Sequence, residues 1–325
     1  MKTITAHARN LILDARSEGL TSLPPGILEK DLLITEVLRI ITTLGYPGVG
    51  LVFCGGTCLS KAYHLIKRMS EDIDFKLVVP EGLSRSACRG TLSQLKSALI
   101  DVLEQAGFVV PGNEIICRDE NKYIALNLHY NSLFDPVVSL RPEIKVELSA
   151  RAPAIPTAWL SVGTLLEVLV GNTARGQAIE CISVEETLAE KVLSFLRRTA
   201  EASAGRNREA YDDRLARHLY DVRAIVHERQ DLILPHDQFA RIVLADADKF
   251  RNQFPEFAVD PVEQMVGVLE ALLQTDSDFE RDYGRFVEDL VFGEPVSFAE
   301  ARDVFCAVAR DLVNPMQTLA RGNLS

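Results

Sequence analysis

Val49-Gly50-Leu51-Val52-Phe53-Cys54-Gly55-Gly56-Thr57-Cys58-Leu59-Ser60-Lys61-Ala62-Tyr63, followed shortly by Ser70-Glu71-Asp72-Ile73-Asp74-Phe75, is the stretch on which the reading of this chain turns. The apolar run 49–53 reads as a buried strand that ends at two glycines. Thr57 is then placed to cap a helix through Leu59, Ala62, Tyr63 and Ile66. After Arg68 the chain turns into an alternating strand, 72–78. A strand that ends in Gly-Gly before a helix brings bare backbone N–H groups to one point, which suits phosphates. Asp72 and Asp74, at i and i+2 of a strand, project from one face and repel each other unless a divalent cation lies between them. That pair points to Mg²⁺, or Mn²⁺ in its place, with Glu147 as a third carboxylate from the polar side of another strand. Each piece also has a plainer reading: a tight turn, a solvated strand face, a surface glutamate. The ordered combination is more specific than its parts.

Outward from this stretch, residues 26–45 carry helical apolar spacing that stops at Gly45, and 86–106 form a second amphipathic helix. Strands are expected at 122–130 and 143–149, the latter with Ile144, Val146 and Leu148 on one face and Lys145, Glu147 and Ser149 on the other. The pattern changes after Pro153-Ala154-Ile155-Pro156. Ser183-Val184-Glu185-Glu186 reads as a capping box opening a helix through Leu188, Val192, Phe195 and Leu196. A mobile loop is expected at 200–212, then helices near 213–229, 236–250, 260–274, 276–291 and 297–312. The fold class is α/β (α+β) with a mixed sheet: an α/β domain over 1–180, with N-terminal helices, and a helical domain over 181–325.

Composition narrows the function. The chain of 325 residues is 47% hydrophobic and 25% charged, the balance of a soluble globular protein with room for two domains. No apolar run nears bilayer length, and the N-terminus lacks the apolar core of a signal peptide, so a cytoplasmic protein with no membrane partner is expected. The six cysteines are scattered without metal spacing and are expected to be reduced. A net charge of −11 argues against general DNA binding but leaves room for a local basic groove.

With these residues in view, the chain resembles the DNA polymerase β-type nucleotidyltransferase superfamily. More closely, Gly55 to Phe75 resembles the AbiEii/AbiGii-type nucleotidyltransferase toxins of bacterial toxin–antitoxin systems. Ile144-Lys145-Val146-Glu147-Leu148-Ser149-Ala150-Arg151 is similar to that family's second motif. Leu188-Ala189-Glu190-Lys191-Val192-Leu193 is similar to its lysine-bearing helix, and Arg217-His218-Leu219-Tyr220-Asp221 to its RH-x-YD helix. The likeness runs from about residue 26 to 225. It implies a polymerase β-like core, metal-binding Asp72 and Asp74, and Gly55, Gly56 and Thr57 near the triphosphate. It also implies a further catalytic pair, Lys191 and Asp221, supplied by the helical domain, with Lys191 on the nucleotide.

The residues support that last pair independently. Lys191 borders the apolar arc of its helix, where a lysine needs an anionic partner or a snorkelling route. Arg214, His218 and Asp221 share one flank beside Leu215, Leu219, Val222 and Val226. A purely structural Lys191–Asp221 pair and a packed His218 fit the same spacing. Arg68, Arg214 and His218 are candidate substrate contacts, as are Arg197 and Arg198, although solvated arginines are equally common. The resemblance further implies an NTP substrate, transfer of NMP to RNA with the tRNA 3′ end as first acceptor, arrest of translation and growth, and a cognate antitoxin. Silencing of some relatives by phosphorylation in the corresponding turn makes Ser70 a candidate phosphosite. A small-molecule nucleotidyltransferase of the antibiotic-modifying kind, or a non-catalytic partner-binding protein on the same scaffold, remain the competing classes.

Overall fold

The computed structural model describes residues 1–171, 177–206, 213–274 and 277–322. Chain contacts divide it into two compact units, Met1–Ile182 and Ser183–Ser325.

The first unit is built on a seven-stranded mixed sheet. Its strands are β1 (Gly50–Cys54), β2 (Asp72–Val78), β3 (Ile116–Arg118), β4 (Tyr123–Leu128), β5 (Ile144–Ser149), β6 (Ala158–Ser161) and β7 (Ala178–Cys181), in the order β3-β4-β5-β2-β1-β7-β6. β1 and β2 are antiparallel, whereas β2 and β5 run parallel, so the polar sides of the two central motifs meet in register. One sheet face is wholly apolar: Phe53, Ile73, Phe75, Leu77, Ile124, Leu126, Ile144, Val146 and Leu148 are all buried. Because strand side chains alternate, Asp72, Asp74, Lys145 and Glu147 all lie on the other face.

Helices α1 (Ala6–Ser17), α2 (Pro25–Leu44), α3 (Gly55–Lys61), α4 (Arg85–Gln105) and α5 (Leu165–Leu169) complete this unit. α2 starts with Pro25 in its first turn and stops at Gly45, whose φ of 52° is left-handed and ends the helix without strain. α4 is capped by Ser84 Oγ, which accepts from the Ala87 N–H at 3.2 Å, and buries Leu92, Leu95, Leu99 and Leu103. Lys96 of α4 lies 3.7 Å from Cys117 Sγ, which puts α4 on the apolar side of the sheet at the β3 edge.

Three expectations need correction here. α3 begins at Gly55 rather than after Thr57 and ends at Lys61, leaving Tyr63 and Ile66 outside it. Thr57 is not a cap: its hydroxyl is consumed by tertiary contacts described below. The expected strands also omitted β6 and β7, two short strands beyond Pro156 that complete the sheet of the α/β domain. β6 is an edge strand, with Trp159 69% exposed.

The second unit is helical: α6 (Val184–Ser203), α7 (Ala216–Glu228), α8 (His236–Phe250), α9 (Pro255–Val259), α10 (Pro261–Leu273), α11 (Ser277–Leu290) and α12 (Phe298–Gly322). Ser183 Oγ accepts from the Glu186 N–H at 3.1 Å and opens α6. Phe195 anchors the core, with ring centroids 4.7 Å from Phe305 and 5.5 Å from Phe279. α12 runs ten residues past its expected end, through Pro315. Of the loop expected at 200–212, the first residues belong to α6, and 207–212 lie outside the described residues. Among the described residues no helix is long and apolar enough to cross a membrane, and all six cysteines are free thiols.

Candidate active site

The parallel pairing of β2 with β5 sets Asp72 opposite Lys145 and Asp74 opposite Glu147, so three carboxylates share a small area of one face. Like charges this close are stable only with cations among them. The protein supplies two. Arg141 Nη1 donates to Asp72 Oδ1 at 2.8 Å, and Lys145 pairs with Glu147 Oε1. Tyr123 completes the Glu147 environment by donating its phenolic hydrogen to Oε1 at 2.9 Å. Burial, with Glu147 beside it, pushes the Tyr123 phenol far above its ordinary value, so it stays a donor. Burial also raises the Asp72 carboxyl; Arg141 opposes that shift, and the neighbouring Glu71 reinforces it.

Asp74 meets the glycine turn. Gly55 has φ +78°, and a Cβ there would sit 2.3 Å from Asp74 Oδ2, so only glycine lets the backbone lie on that carboxylate. A Cβ on Gly56 would come 2.6 Å from Arg68 Nη2 and 2.9 Å from Ser70 Oγ. Thr57 Oγ1 is hydrogen-bonded to the Asp72 carbonyl and, at 3.0 Å, to Ser70 Oγ, which straps the start of α3 to the start of β2. Arg68 is buried, and its Nη1 donates to the Met69 carbonyl at 2.9 Å. The structure therefore brings Gly55, Gly56, Thr57, Arg68, Ser70, Asp72, Asp74 and Glu147 into one neighbourhood.

Sequence reading missed the supports beneath it. Glu29, Lys30 and Asp31 are consecutive on α2 and all buried. Lys30 Nζ donates to Glu71 Oε2 at 2.7 Å and to the Arg141 carbonyl, and Glu71 Oε2 also accepts from the Arg141 N–H at 2.9 Å. Asp31 pairs with Lys61 at the end of α3 and accepts from the Leu165 N–H at 2.6 Å. Glu29 accepts from the Leu133 N–H at 2.9 Å and from Ser132 Oγ. Burial lowers the Lys30 ammonium, although Glu71 works against that shift. The available signal was three adjacent charges inside an otherwise apolar helix. Such a cluster is either a solvated face or a paired buried network.

In the second unit, Lys191 of α6 donates to Asp221 Oδ2 of α7 at 2.6 Å, with the lysine side chain 8% exposed and the aspartate 0%. His218 lies half-buried one turn before Asp221, and Arg214 sits in the 3-10 turn leading into α7. Arg197 is a correction. It pairs with Glu201 at 2.9 Å and Asp246 at 2.8 Å, and its guanidinium lies 4.0 Å from the Phe250 ring centroid, so it is a packing element of this unit. Arg198 is half-buried.

Asp72, Asp74 and Glu147 are an oxygen-only donor set, the kind a hard divalent cation takes. Among the described residues no three ligating side chains converge as a formed metal cluster. The guanidinium on Asp72 and the ammonium on Glu147 show that this face draws positive charge, so the donor chemistry fits Mg²⁺.

A glycine turn packed on one aspartate, an Asp-x-Asp strand and a carboxylate on the parallel neighbour fit the nucleotidyltransferase class of enzymes, to which the family match assigns the chain. Within that class, the chain belongs to the nucleotidyl transferase AbiEii toxin family of type IV toxin–antitoxin systems, whose family model matches residues 47–304. Membership implies an NTP substrate and an antitoxin partner. The solved structure of MenT4, nucleotidyltransferase toxin Rv2826c from Mycobacterium tuberculosis H37Rv, is similar with a TM-score of 0.57 and 20% sequence identity, covering 95% of this chain and 92% of that one. At that identity the likeness is one of fold. Comparison with curated proteins finds no match.

Proposed function

We propose that this nucleotidyltransferase moves an NMP from an NTP to the 3′ hydroxyl of an RNA, with the tRNA acceptor end as first candidate, and releases pyrophosphate. The observation that carries this reading is the meeting of Gly55, Asp74 and Glu147 on the polar sheet face. The backbone at Gly55 and Gly56 receives phosphates, and Thr57 keeps that turn fixed against β2. Asp72, Asp74 and Glu147 would hold Mg²⁺, or Mn²⁺, which when bound would supply Lewis-acid activation of the phosphate and of the attacking hydroxyl. Tyr123 orients Glu147 through its hydrogen bond. The family resemblance assigns Lys191 to phosphate charge, with Asp221 orienting its ammonium, and leaves Arg68, Arg214 and His218 as substrate contacts. Loss of tRNA charging in the cytoplasm would then stop translation and growth.

Radiolabelled NTPs incubated with the protein and separate pools of total RNA, protein and metabolites test the acceptor class. Label in RNA that disappears after periodate oxidation of the 3′ end is the expected result. Label in small molecules, or undiminished labelling of oxidised tRNA, removes the reading.

A further inference from the structure

Arg141, which bonds Asp72 through its guanidinium, has its placement fixed by its main chain. It stands three residues before β5, and the pairing of β5 with β2 carries it to the start of the Asp-x-Asp strand. Both polar groups of its backbone are taken: the N–H by Glu71 Oε2 at 2.9 Å, the carbonyl by Lys30 Nζ. Lys30 and Glu71 themselves form a pair whose side chains are 1% and 2% exposed. A fully buried ion pair holding the two peptide groups that flank one residue is expensive to build and rigid once built. The Arg141 side chain, by contrast, is 25% exposed and reaches out from this anchored backbone to Asp72 Oδ1.

Two properties are thus separated in one residue. The backbone is fixed, and the guanidinium is free to change partners by side-chain rotation alone. A guanidinium and a divalent cation on one carboxylate repel each other, so each weakens the other's hold on Asp72. We infer that Arg141 is a resident counter-ion of Asp72, anchored through its main chain by the Lys30–Glu71 pair. It yields that carboxylate to the divalent cation and is then left within reach of the phosphates of the incoming nucleotide. Lys30 and Glu71 act as positioning residues in this scheme. The inference rests on the metal-dependent reading above and adds that metal and arginine compete.

The test is Mn²⁺ binding by the full chain without nucleotide, followed by the electron paramagnetic resonance of free Mn²⁺, for wild type, Arg141→Ala and Asp72→Ala. Arg141→Ala keeps the backbone hydrogen bonds, so its melting temperature should stay near that of wild type. Removing the competing charge should tighten Mn²⁺ binding about tenfold, a change worth about 1.4 kcal/mol. Binding of a non-hydrolysable NTP analogue, followed by calorimetry at saturating Mn²⁺, should weaken in the same variant. Arg141→Lys, which keeps a charge but loses the fork, should fall between the two for both ligands. Mn²⁺ affinity in Arg141→Ala that is unchanged or weaker, with wild type binding the ion, overturns the counter-ion role and leaves the metal reading standing. Wild type that binds Mn²⁺ no better than Asp72→Ala removes the metal reading, and this inference with it.

Discussion

Replacing Gly55 by alanine should damage the enzyme twice, and the two effects can be measured apart. The φ of +78° puts an alanine in the left-handed region, at roughly 1–2 kcal/mol. The added Cβ would lie 2.3 Å from Asp74 Oδ2, 3.1 Å from its Cγ and 3.2 Å from its Cβ. Overpacking of this kind costs about 1–3 kcal/mol, so the total destabilisation is about 2–5 kcal/mol. For a unit of this size that corresponds to a melting temperature lowered by roughly 4–20 °C. To restore ordinary contact the carboxylate must retreat by about 1 Å, a misplacement that costs on the order of 100-fold in rate. The assays are thermal unfolding by circular dichroism and NMP transfer from labelled NTP below the melting transition. Gly90→Ala is the control, since nothing lies within 4 Å of a Cβ there and helix α4 should gain about 0.5–1 kcal/mol. A Gly55→Ala enzyme that melts and transfers like wild type would refute the close-approach argument.

Four further expectations follow from the same geometry. Asp72→Ala and Asp74→Ala should each abolish transfer with little loss of melting temperature, because removing one of several crowded carboxylates relieves repulsion; wild-type turnover with Mg²⁺ in either sinks their assignment. Lys191→Ala and Asp221→Ala each break a buried ion pair and should each destabilise by about 3–5 kcal/mol; transfer should also be lost well below the melting transition, and retained activity there reduces the pair to a structural role. Arg197→Ala should destabilise through lost pairing with Glu201 and Asp246 while transfer persists at permissive temperature, and loss of activity without loss of stability contradicts its reading as a packing element. Ser70→Glu, which sets a charge beside Gly56 and the Asp-x-Asp strand, should lose transfer while Ser70→Ala keeps it; an active Ser70→Glu removes the phosphosite idea.

What the sequence could show depended on how local the determining physics was. α2 was legible because its apolar period ends at a glycine suited to a left-handed stop. β2 and β5 were legible because alternation of one buried and one polar face is a two-residue pattern. α3 was misread because Thr57 looks like a cap from its neighbours alone, whereas its hydroxyl is claimed by Ser70 and Asp72 thirteen and fifteen residues away. β6 and β7 are four residues each, too short for alternation to stand out, and the Thr164–Glu167 capping box of α5 opens only five helical residues. Arg141 and Arg197 were beyond local reading for one reason: an arginine has the same letter whether solvated, stacked on Phe250 or held to Asp72. At the site itself, the carboxylates could be named from spacing, while their counter-ions depend on which strand lies beside β2.

The exposed Trp159 on edge strand β6 is the only tryptophan in the sequence. Its indole is already in water, so unfolding changes its surroundings little, and its emission is a poor gauge of whether the fold survives. The same isolation makes it a built-in optical probe of one border of the sheet. Trp159 pairs with Glu180 and so projects from the same sheet face as Asp72 and Asp74, three strands away. Shielding from a collisional quencher such as acrylamide would register a macromolecule that spreads over that face to β6, and a small ligand confined to β2 and β5 would leave the quenching unchanged.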